Sequence, residues 1–250
     1  MKYVLSNWKM YVGPSRAEEL FGAVQARLAE RFREGSPTAV SVVLCPSFVS
    51  LAPLRAVMDP RLVRLGAQDC HWEPEGPFTG AISPTMLQDL VDYVLIGHSE
   101  RRAAGDTDEQ IAKKVAAVAG AGLTPILFVG EDAPTDDAIE RTDRRLTEGL
   151  AGVDLSERDV PVVYEPTWAV GASEAAPAEH VRGVVEQLKN RLRELGARNP
   201  RVIYGGTVTA DNVEQFAALD VLDGVGATRA GLDPDGFLRI VDRVAAAGSE

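Results

Sequence analysis

The sequence predicts a single (β/α)8 barrel that spans residues 1–250, with eight parallel strands that are each followed by a helix. Eight short strand-like runs alternate with longer helix-like segments along the whole chain, whereas open doubly wound sheets usually hold five or six strands. Several runs are continuously apolar, which is typical of strands buried on both faces. Because no linker, repeat or shift in composition divides the chain, we expect one domain.

The predicted strands are short runs rich in Val, Ile and Leu, and they are spread over the whole chain. In order they are Tyr3–Trp8, Val40–Leu44, Leu62–Ala67, Tyr93–Ile96, Thr124–Val129, Val160–Glu165, Arg201–Tyr204 and Val221–Val225.

The predicted helices lie between these strands, and local start signals support several of them. Pro14 opens the first helix, Thr107 has the chemistry of a cap residue, and Pro177 is expected in a first turn. In another helix, Ile139 and Leu146 are expected to share the buried face. The five helices that the pattern delimits are Ser15–Arg33, Thr107–Ala119, Asp136–Leu150, Ala178–Leu195 and Asp211–Leu219.

The composition limits the compartment and the partners. The chain has 26 basic and 37 acidic residues and a net charge of −11, so nucleic acid and membrane surfaces are poor partners. Cys45 and Cys70 form neither a disulfide framework nor a CxxC pair, and the first residues become polar too early for a secretory leader. His71, His98 and His180 show no metal-ligand spacing. A cytoplasmic protein without a metal is expected.

Polar or glycine-rich segments follow four of the predicted strands. They contain Lys9, His98, Glu165 and Gly205–Thr207. Each has an ordinary structural explanation, such as a surface charge or a turn, when it is taken alone. In a (β/α)8 barrel, however, the carboxyl ends of the strands meet at one face, where the chemistry takes place. An amine, an imidazole and a carboxylate at that face suit proton abstraction next to a carbonyl group.

The segments at these strand ends also resemble the motifs of one family, the triosephosphate isomerases. The resemblance keeps the order of the motifs and covers essentially the whole chain. The similar segments are Asn7–Met10, Gly66–Asp69, Phe78–Pro84, Ile96–Arg102, Tyr164–Gly171 and Tyr204–Val208.

The resemblance implies a cofactor-independent isomerase that interconverts D-glyceraldehyde 3-phosphate and dihydroxyacetone phosphate. As is well established for the family, Glu165 would be the base and His98 a neutral electrophile. His98 precedes a predicted short helix, whose dipole disfavours a protonated imidazole. Lys9 and Asn7 would support the developing oxyanion. Glu100 corresponds to a carboxylate beside the lysine and the histidine, with a structural ion pair as the alternative.

The resemblance also implies a lid and a phosphate site. Backbone N–H groups at Gly171, Gly206 and Thr207 would hold the phosphate. The eighth loop, with Thr228 and Arg229, would complete this site. The lid would consist of Pro166, Thr167, Trp168, Ala169 and Val170.

The sequence departs from the family pattern at three places. Thr228 and Arg229 stand where the family usually has two glycines, and the lid ends in Gly171–Glu174 rather than Gly-Thr-Gly-Lys. Ala81 replaces a carboxylate. These changes leave two alternatives open: the same chemistry on a four-carbon ketose phosphate, as in erythrulose phosphate isomerases, and a catalytically silent barrel that binds sugar phosphates.

A homodimer is expected from the same resemblance. The third loop, with Gln68, Phe78 and Thr79, is similar to the family segment that reaches into a partner subunit. The phosphorylated three- or four-carbon sugar would be the other partner.

Overall fold

The strands form a closed parallel barrel in which each strand pairs with the next along the chain and the last pairs with the first. The computed structural model describes residues 2–33, 40–135, 137–227 and 229–248. The predicted (β/α)8 fold is confirmed. The strands are β1 (Lys2–Asn7), β2 (Val40–Cys45), β3 (Arg64–Ala67), β4 (Tyr93–Ile96), β5 (Thr124–Val129), β6 (Val162–Tyr164), β7 (Val202–Tyr204) and β8 (Gly224–Gly226).

At least one helix follows every strand, and the five delimited helices agree with the structure to within two residues at either end. Short 3-10 turns occur at Thr167–Ala169 and Arg229–Leu232. The α-helices in the described residues are α1 (Pro14–Arg33), α2 (Phe48–Val57), α3 (Pro84–Leu87), α4 (Ser99–Ala103), α5 (Asp108–Gly120), α6 (Ala138–Gly149), α7 (Ala178–Glu194), α8 (Val213–Ala217) and α9 (Pro234–Ala247).

The start of α5 confirms its predicted cap. The Thr107 hydroxyl accepts a hydrogen bond from the Gln110 N–H, and the Gln110 side chain accepts one from the Thr107 N–H. This reciprocal pair satisfies two N–H groups that a helix start otherwise leaves free. The start of α7 differs slightly from the prediction, because Pro177 directly precedes the helix instead of lying in its first turn.

Two predictions from apolar patterning were wrong in detail. Ile139 is 44% exposed, whereas Leu146 is buried, because Thr142 takes part in the inward face of α6. The last strand lies at Gly224–Gly226 rather than at the more apolar run before it. A Cβ on Gly224 would lie 2.1 Å from the Tyr3 carbonyl oxygen, so the close approach of β1 and β8 requires glycine there.

The core has two layers separated by the strand backbones. Alternate strand residues point towards the barrel axis or towards the helices. The outer layer packs the other strand faces against the helices and contains most of the buried residues. In the described residues, no helix is long and apolar enough to cross a membrane. The inner layer consists of Tyr3, Leu5, Val43, Cys45, Leu95, Ile126, Phe128, Val163 and Ile203.

Candidate active site

Lys9 follows β1 and adopts a left-handed backbone conformation with a φ of 49°. This conformation strains a residue that has a Cβ, so neighbouring groups must hold it. The Asn7 Oδ1 accepts a hydrogen bond from the Lys9 N–H at 2.9 Å, and the Gln68 Nε2 donates to the Lys9 carbonyl at 3.0 Å. The Lys9 amine contacts the Glu100 carboxylate at 2.7 Å. The end of β1 therefore places a fixed positive charge at the barrel mouth.

His98 follows β4 after Gly97 and caps α4, so the predicted short helix behind it is confirmed. Its Nδ1 accepts a hydrogen bond from the Glu100 N–H at 3.1 Å, which assigns the ring proton to Nε2. The ring is buried and lies 5.1 Å from the Phe128 ring, centroid to centroid. Burial, with the Lys9 charge adding to it and Glu100 opposing it, lowers the pKa of His98 to about 4. The imidazole is therefore neutral near pH 7.

Glu165 follows β6 and is 3% exposed. Its Oε2 accepts a hydrogen bond from the Ser99 N–H at 2.9 Å, and its Oε1 lies 3.2 Å from the His98 Nε2. Burial raises the pKa of Glu165 to about 7, although the Ser99 hydrogen bonds and the Lys9 charge oppose this. A carboxylate with this pKa is a much stronger base than one in water.

The structure brings together the predicted amine, imidazole and carboxylates. The Glu100 side chain is 58% exposed, and its carboxylate lies 2.7 Å from the Lys9 amine and 3.9 Å from the His98 Nδ1. Asn7 contacts the group through the Lys9 backbone. An ionisable base, a neutral N–H donor and a cation around one space can move a proton between adjacent carbons.

The predicted lid is fixed to the barrel at its first arm and at its tip. The Thr167 N–H donates to the Glu131 carbonyl at 3.0 Å, and the Trp168 indole donates to the Glu131 carboxylate at 2.8 Å. On the other side, the Thr207 hydroxyl donates to the Ala169 carbonyl at 2.8 Å. The segment is therefore docked against the loop that follows β7.

Comparison with known proteins matches the family model for triosephosphate isomerase to residues 2–244. The chain belongs to the triosephosphate isomerase family. The triosephosphate isomerase of Trichodesmium erythraeum (strain IMS101) is 36% identical over 243 residues, which is 96% of this chain and 97% of the relative. That of Roseiflexus sp. (strain RS-1) is 38% identical over 245 residues, 94% of each chain. That of Aquifex aeolicus (strain VF5) is 34% identical over 248 residues, 96% of this chain and 98% of the relative.

Membership of the triosephosphate isomerase family confirms the predicted family and the class of enzyme, an aldose–ketose isomerase. These three relatives all carry the name of the three-carbon enzyme, and they give the four-carbon alternative no specific support.

The predicted phosphate residues lie around the docked lid. Gly171 has a φ of 68°, and Gly206 is buried with no room for a Cβ beside the Tyr204 hydroxyl. The Arg229 Nη2 lies 3.4 Å from the position that a Cβ on Gly171 would occupy. Its exposed guanidinium forms no hydrogen bond or ion pair with any residue that the structure describes. Thr228 lies outside the described residues.

The predicted interface residues differ in their surroundings. Gln68 faces its own chain, where its side-chain amide donates to the carbonyls of Lys9 and Cys45. Phe78 is 42% exposed, and Thr79 is exposed beside it. The Phe78 ring lies 4.3 Å from the His71 ring, so the third loop is preorganised by its own aromatic contacts.

Sequence patterns missed the polar residues beneath the lid. Glu131 is fully buried and contacts Tyr164, Trp168 and His180, while the Tyr204 hydroxyl accepts from the Ala176 N–H at 3.0 Å. The strand-end rule could have found Glu131, which follows β5 after one glycine. Nothing in the spacing of His180 indicates its contact with residues from other elements. Among the described residues, no group of three or more His, Cys, Asp or Glu could hold a metal ion.

Proposed function

We propose that this protein interconverts D-glyceraldehyde 3-phosphate and dihydroxyacetone phosphate, with Glu165 as the base and His98 as the electrophile. The observation that supports these roles is a buried carboxylate with a pKa of about 7, 3.2 Å from the Nε2 of a neutral imidazole. The chemistry is a proton shuttle, so it requires no redox partner and no cofactor.

The reaction proceeds through an enediol(ate). The Glu165 carboxylate takes a proton from the carbon beside the carbonyl group. The electron pair of that C–H bond forms the C=C bond of the enediolate, and the π pair of the carbonyl group moves to its oxygen. The His98 Nε2–H donates to this oxygen and carries a proton between the two oxygens. Glu165 then returns its proton to the neighbouring carbon, which completes the isomerisation and restores the carboxylate. A substrate between the two groups takes Glu165 away from its bond to the Ser99 N–H.

The positive charge of Lys9 stabilises the developing oxyanion. Its strained backbone is held from both sides, so the amine needs little reorganisation when the charge develops. The Asn7 side chain contributes by holding the Lys9 N–H. Glu100 pairs with the amine and keeps it directed towards the site.

The phosphate of the substrate lies between the lid and the loops after β7 and β8. Backbone N–H groups of Gly171, Gly206 and Thr207 hold it, because glycines permit close approach and N–H nests favour anions. The Arg229 guanidinium supplies a charged donor on the same side.

The protein acts as a homodimer in the cytoplasm. Exposed apolar side chains at the loops after the first three strands favour a second copy as partner. Both cysteines are free and buried, which suits a reducing compartment.

The test compares turnover of D-glyceraldehyde 3-phosphate with that of a four-carbon ketose phosphate, for the wild type and for Glu165→Gln. We expect the triose phosphate to have the larger kcat/KM, and Glu165→Gln to lower kcat about 10²- to 10⁴-fold, because the base is lost. Glu140→Gln, at an exposed position of α6, is the matched control.

Other outcomes distinguish the alternatives. A larger kcat/KM for the four-carbon ester assigns the protein to that substrate. Binding of the ester without exchange of its C–H proton with deuterated water identifies a silent binding protein. Wild-type turnover by Glu165→Gln would remove the proposed base.

A further inference from the structure

A fully buried carboxylate, that of Glu131, lies beneath the first arm of the lid. Its Oε1 accepts hydrogen bonds from the Tyr164 hydroxyl and the Trp168 indole, both at 2.8 Å, and its Oε2 accepts one from the Thr142 hydroxyl at 3.2 Å. The Glu131 carbonyl accepts from the Thr167 N–H. The orientation of the Glu131 side chain therefore fixes where the first arm of the lid docks.

His180 contacts three members of this group from the other end of the lid. It lies in the first turn of α7, and its Nε2 is 3.0 Å from the Tyr164 hydroxyl oxygen and 3.3 Å from the Glu131 Oε1. Its ring meets the Trp168 ring edge-on, with centroids 5.6 Å apart. The first arm of the lid, through Trp168, and the helix that follows the lid, through His180, thus meet at one carboxylate.

The hydrogen-bond directions assign the His180 proton. The Tyr164 hydroxyl donates its one hydrogen to Glu131, so the phenol oxygen and the carboxylate can each only accept from the His180 Nε2. An Nε2–H satisfies both acceptors. If Nε2 carried no proton, its lone pair would face the Tyr164 and Glu131 oxygens, and three acceptors would meet without a hydrogen between them, which is costly.

The buried carboxylate depends on hydrogen-bond donors. In the parts of the chain that the structure describes, no lysine or arginine forms an ion pair with Glu131, whose carboxylate is fully buried. The loss of one donor at this place is therefore costly.

The phenols near His180 keep their protons, so the direction of the hydrogen bond from Tyr164 is fixed. Burial and the Glu131 charge raise the pKa of Tyr164, which stays protonated. The Tyr204 ring lies beyond Tyr164, 6.3 Å from it, and burial raises its pKa to about 12. Glu179, the neighbour of His180 on α7, is exposed.

We propose that His180 is a positioning residue for the lid: its Nε2–H fixes the Glu131–Tyr164 pair that receives the Trp168 indole. The inference rests on the proposed function only where it identifies residues 166–174 as a lid over the substrate. The contacts themselves are independent of the substrate.

The kinetic test compares two substitutions. His180→Leu removes the donor, and we expect it to lower kcat/KM about tenfold, which corresponds to one lost hydrogen bond to a charged group. His180→Gln keeps an N–H donor without a titratable ring, and we expect it to restore kcat/KM to within about twofold of wild type at pH 8. Normal KM and kcat for His180→Leu would overturn the proposal.

The second test needs no turnover. Protein labelled with 5-fluorotryptophan gives a 19F resonance for each of three tryptophans, and Trp168→Phe assigns the one at the lid. We expect this resonance to move in His180→Leu, because the indole loses its fixed acceptor. It should keep its wild-type position in His180→Gln, in Glu165→Gln and in the matched histidine control, His71→Gln.

The outcomes of this experiment separate the proposal from the proposed function. A resonance that keeps its wild-type position in His180→Leu overturns the role of His180. A protein that catalyses no isomerisation but shows the expected change in His180→Leu contradicts the proposed function and leaves the lid contact intact.

Discussion

Glu165 and His98 have pKa values shifted in opposite directions by one cause. Burial disfavours the charged form of each, so it raises the pKa of the acid to about 7 and lowers that of the imidazole to about 4. Near pH 7 the pair therefore holds a base ready to accept a proton beside a donor that carries no charge. These properties follow from the packing around the two side chains, since the same residues in water would have ordinary pKa values.

The pH dependence of kcat/KM tests this arrangement. Below pH 7 Glu165 becomes protonated and cannot accept a proton, so we expect activity to rise as the pH increases through about 7. His98 stays neutral down to about pH 4, so its titration removes no activity between pH 5 and 8. The Lys9 charge lowers the pKa of Glu165, so Lys9→Met should move the inflection to higher pH as well as reduce turnover.

A matched control separates the enzyme from its substrate. Lys113→Met removes a lysine that is 50% exposed in its ion pair with Glu109, and it should leave the inflection in place. Because the substrate is the same in all three proteins, ionisation of its phosphate cancels in the comparison. An inflection that does not move in Lys9→Met would contradict the effect of the Lys9 charge on the pKa of Glu165.

The predicted lid is held by three other parts of the chain. Its first arm docks on Glu131 and its tip on Thr207, and Ala176, which follows it, docks on the Tyr204 hydroxyl. Arg229 lies over Gly171 without an acidic partner among the described residues, although the chain has 37 acidic residues. An unpaired guanidinium at this place is available to an anion that the lid covers.

Replacing Arg229 tests whether this cation binds the phosphate. We expect Arg229→Met to raise KM about tenfold or more with little change in kcat, because a hydrogen bond to a charged group contributes about 1.5–3 kcal/mol. The dependence of KM on ionic strength should weaken as well. Arg239→Met, at an exposed position of α9, is the control. An unchanged KM in Arg229→Met would show that the guanidinium does not hold the phosphate.

Sequence patterns predicted the elements whose local signal agrees with their packing. Apolar runs located seven strands closely, and the rule that chemistry follows strand ends selected His98 and Glu165. The last strand, Gly224–Gly226, was displaced because the contact with β1 demands glycines, which have low strand propensity. Ile139 faces solvent and Glu131 is buried because contacts from distant segments decide their environment. Such contacts leave no periodic signal in the sequence.

The exposed apolar side chains of the whole molecule are concentrated on one side of the barrel mouth. Met10 is 97% exposed, Val49 is 70% exposed, Met86 is 61% exposed and Phe78 is 42% exposed. They follow β1, β2 and β3, which are adjacent strands, so their loops are neighbours. A patch of this kind favours an interface. Met10 directly follows Lys9, so a partner on this side would also cover the loop that positions the Lys9 amine in the active site.

Charge placed in this patch should separate the subunits. We expect the wild type to sediment as a dimer, and Phe78→Glu and Met86→Glu to sediment as monomers, because a buried unpaired carboxylate is costly. Turnover should fall up to about a hundredfold, since small displacements of positioned groups such as Lys9 have effects of this size.

Ile139→Glu, at a similarly exposed site on α6, is the control and should remain dimeric and active. Phe78 also packs on His71, so Met86→Glu shows whether loss of the dimer alone causes the effect. A wild type that is monomeric at assay concentration, or dimers that survive both substitutions, would contradict this interface.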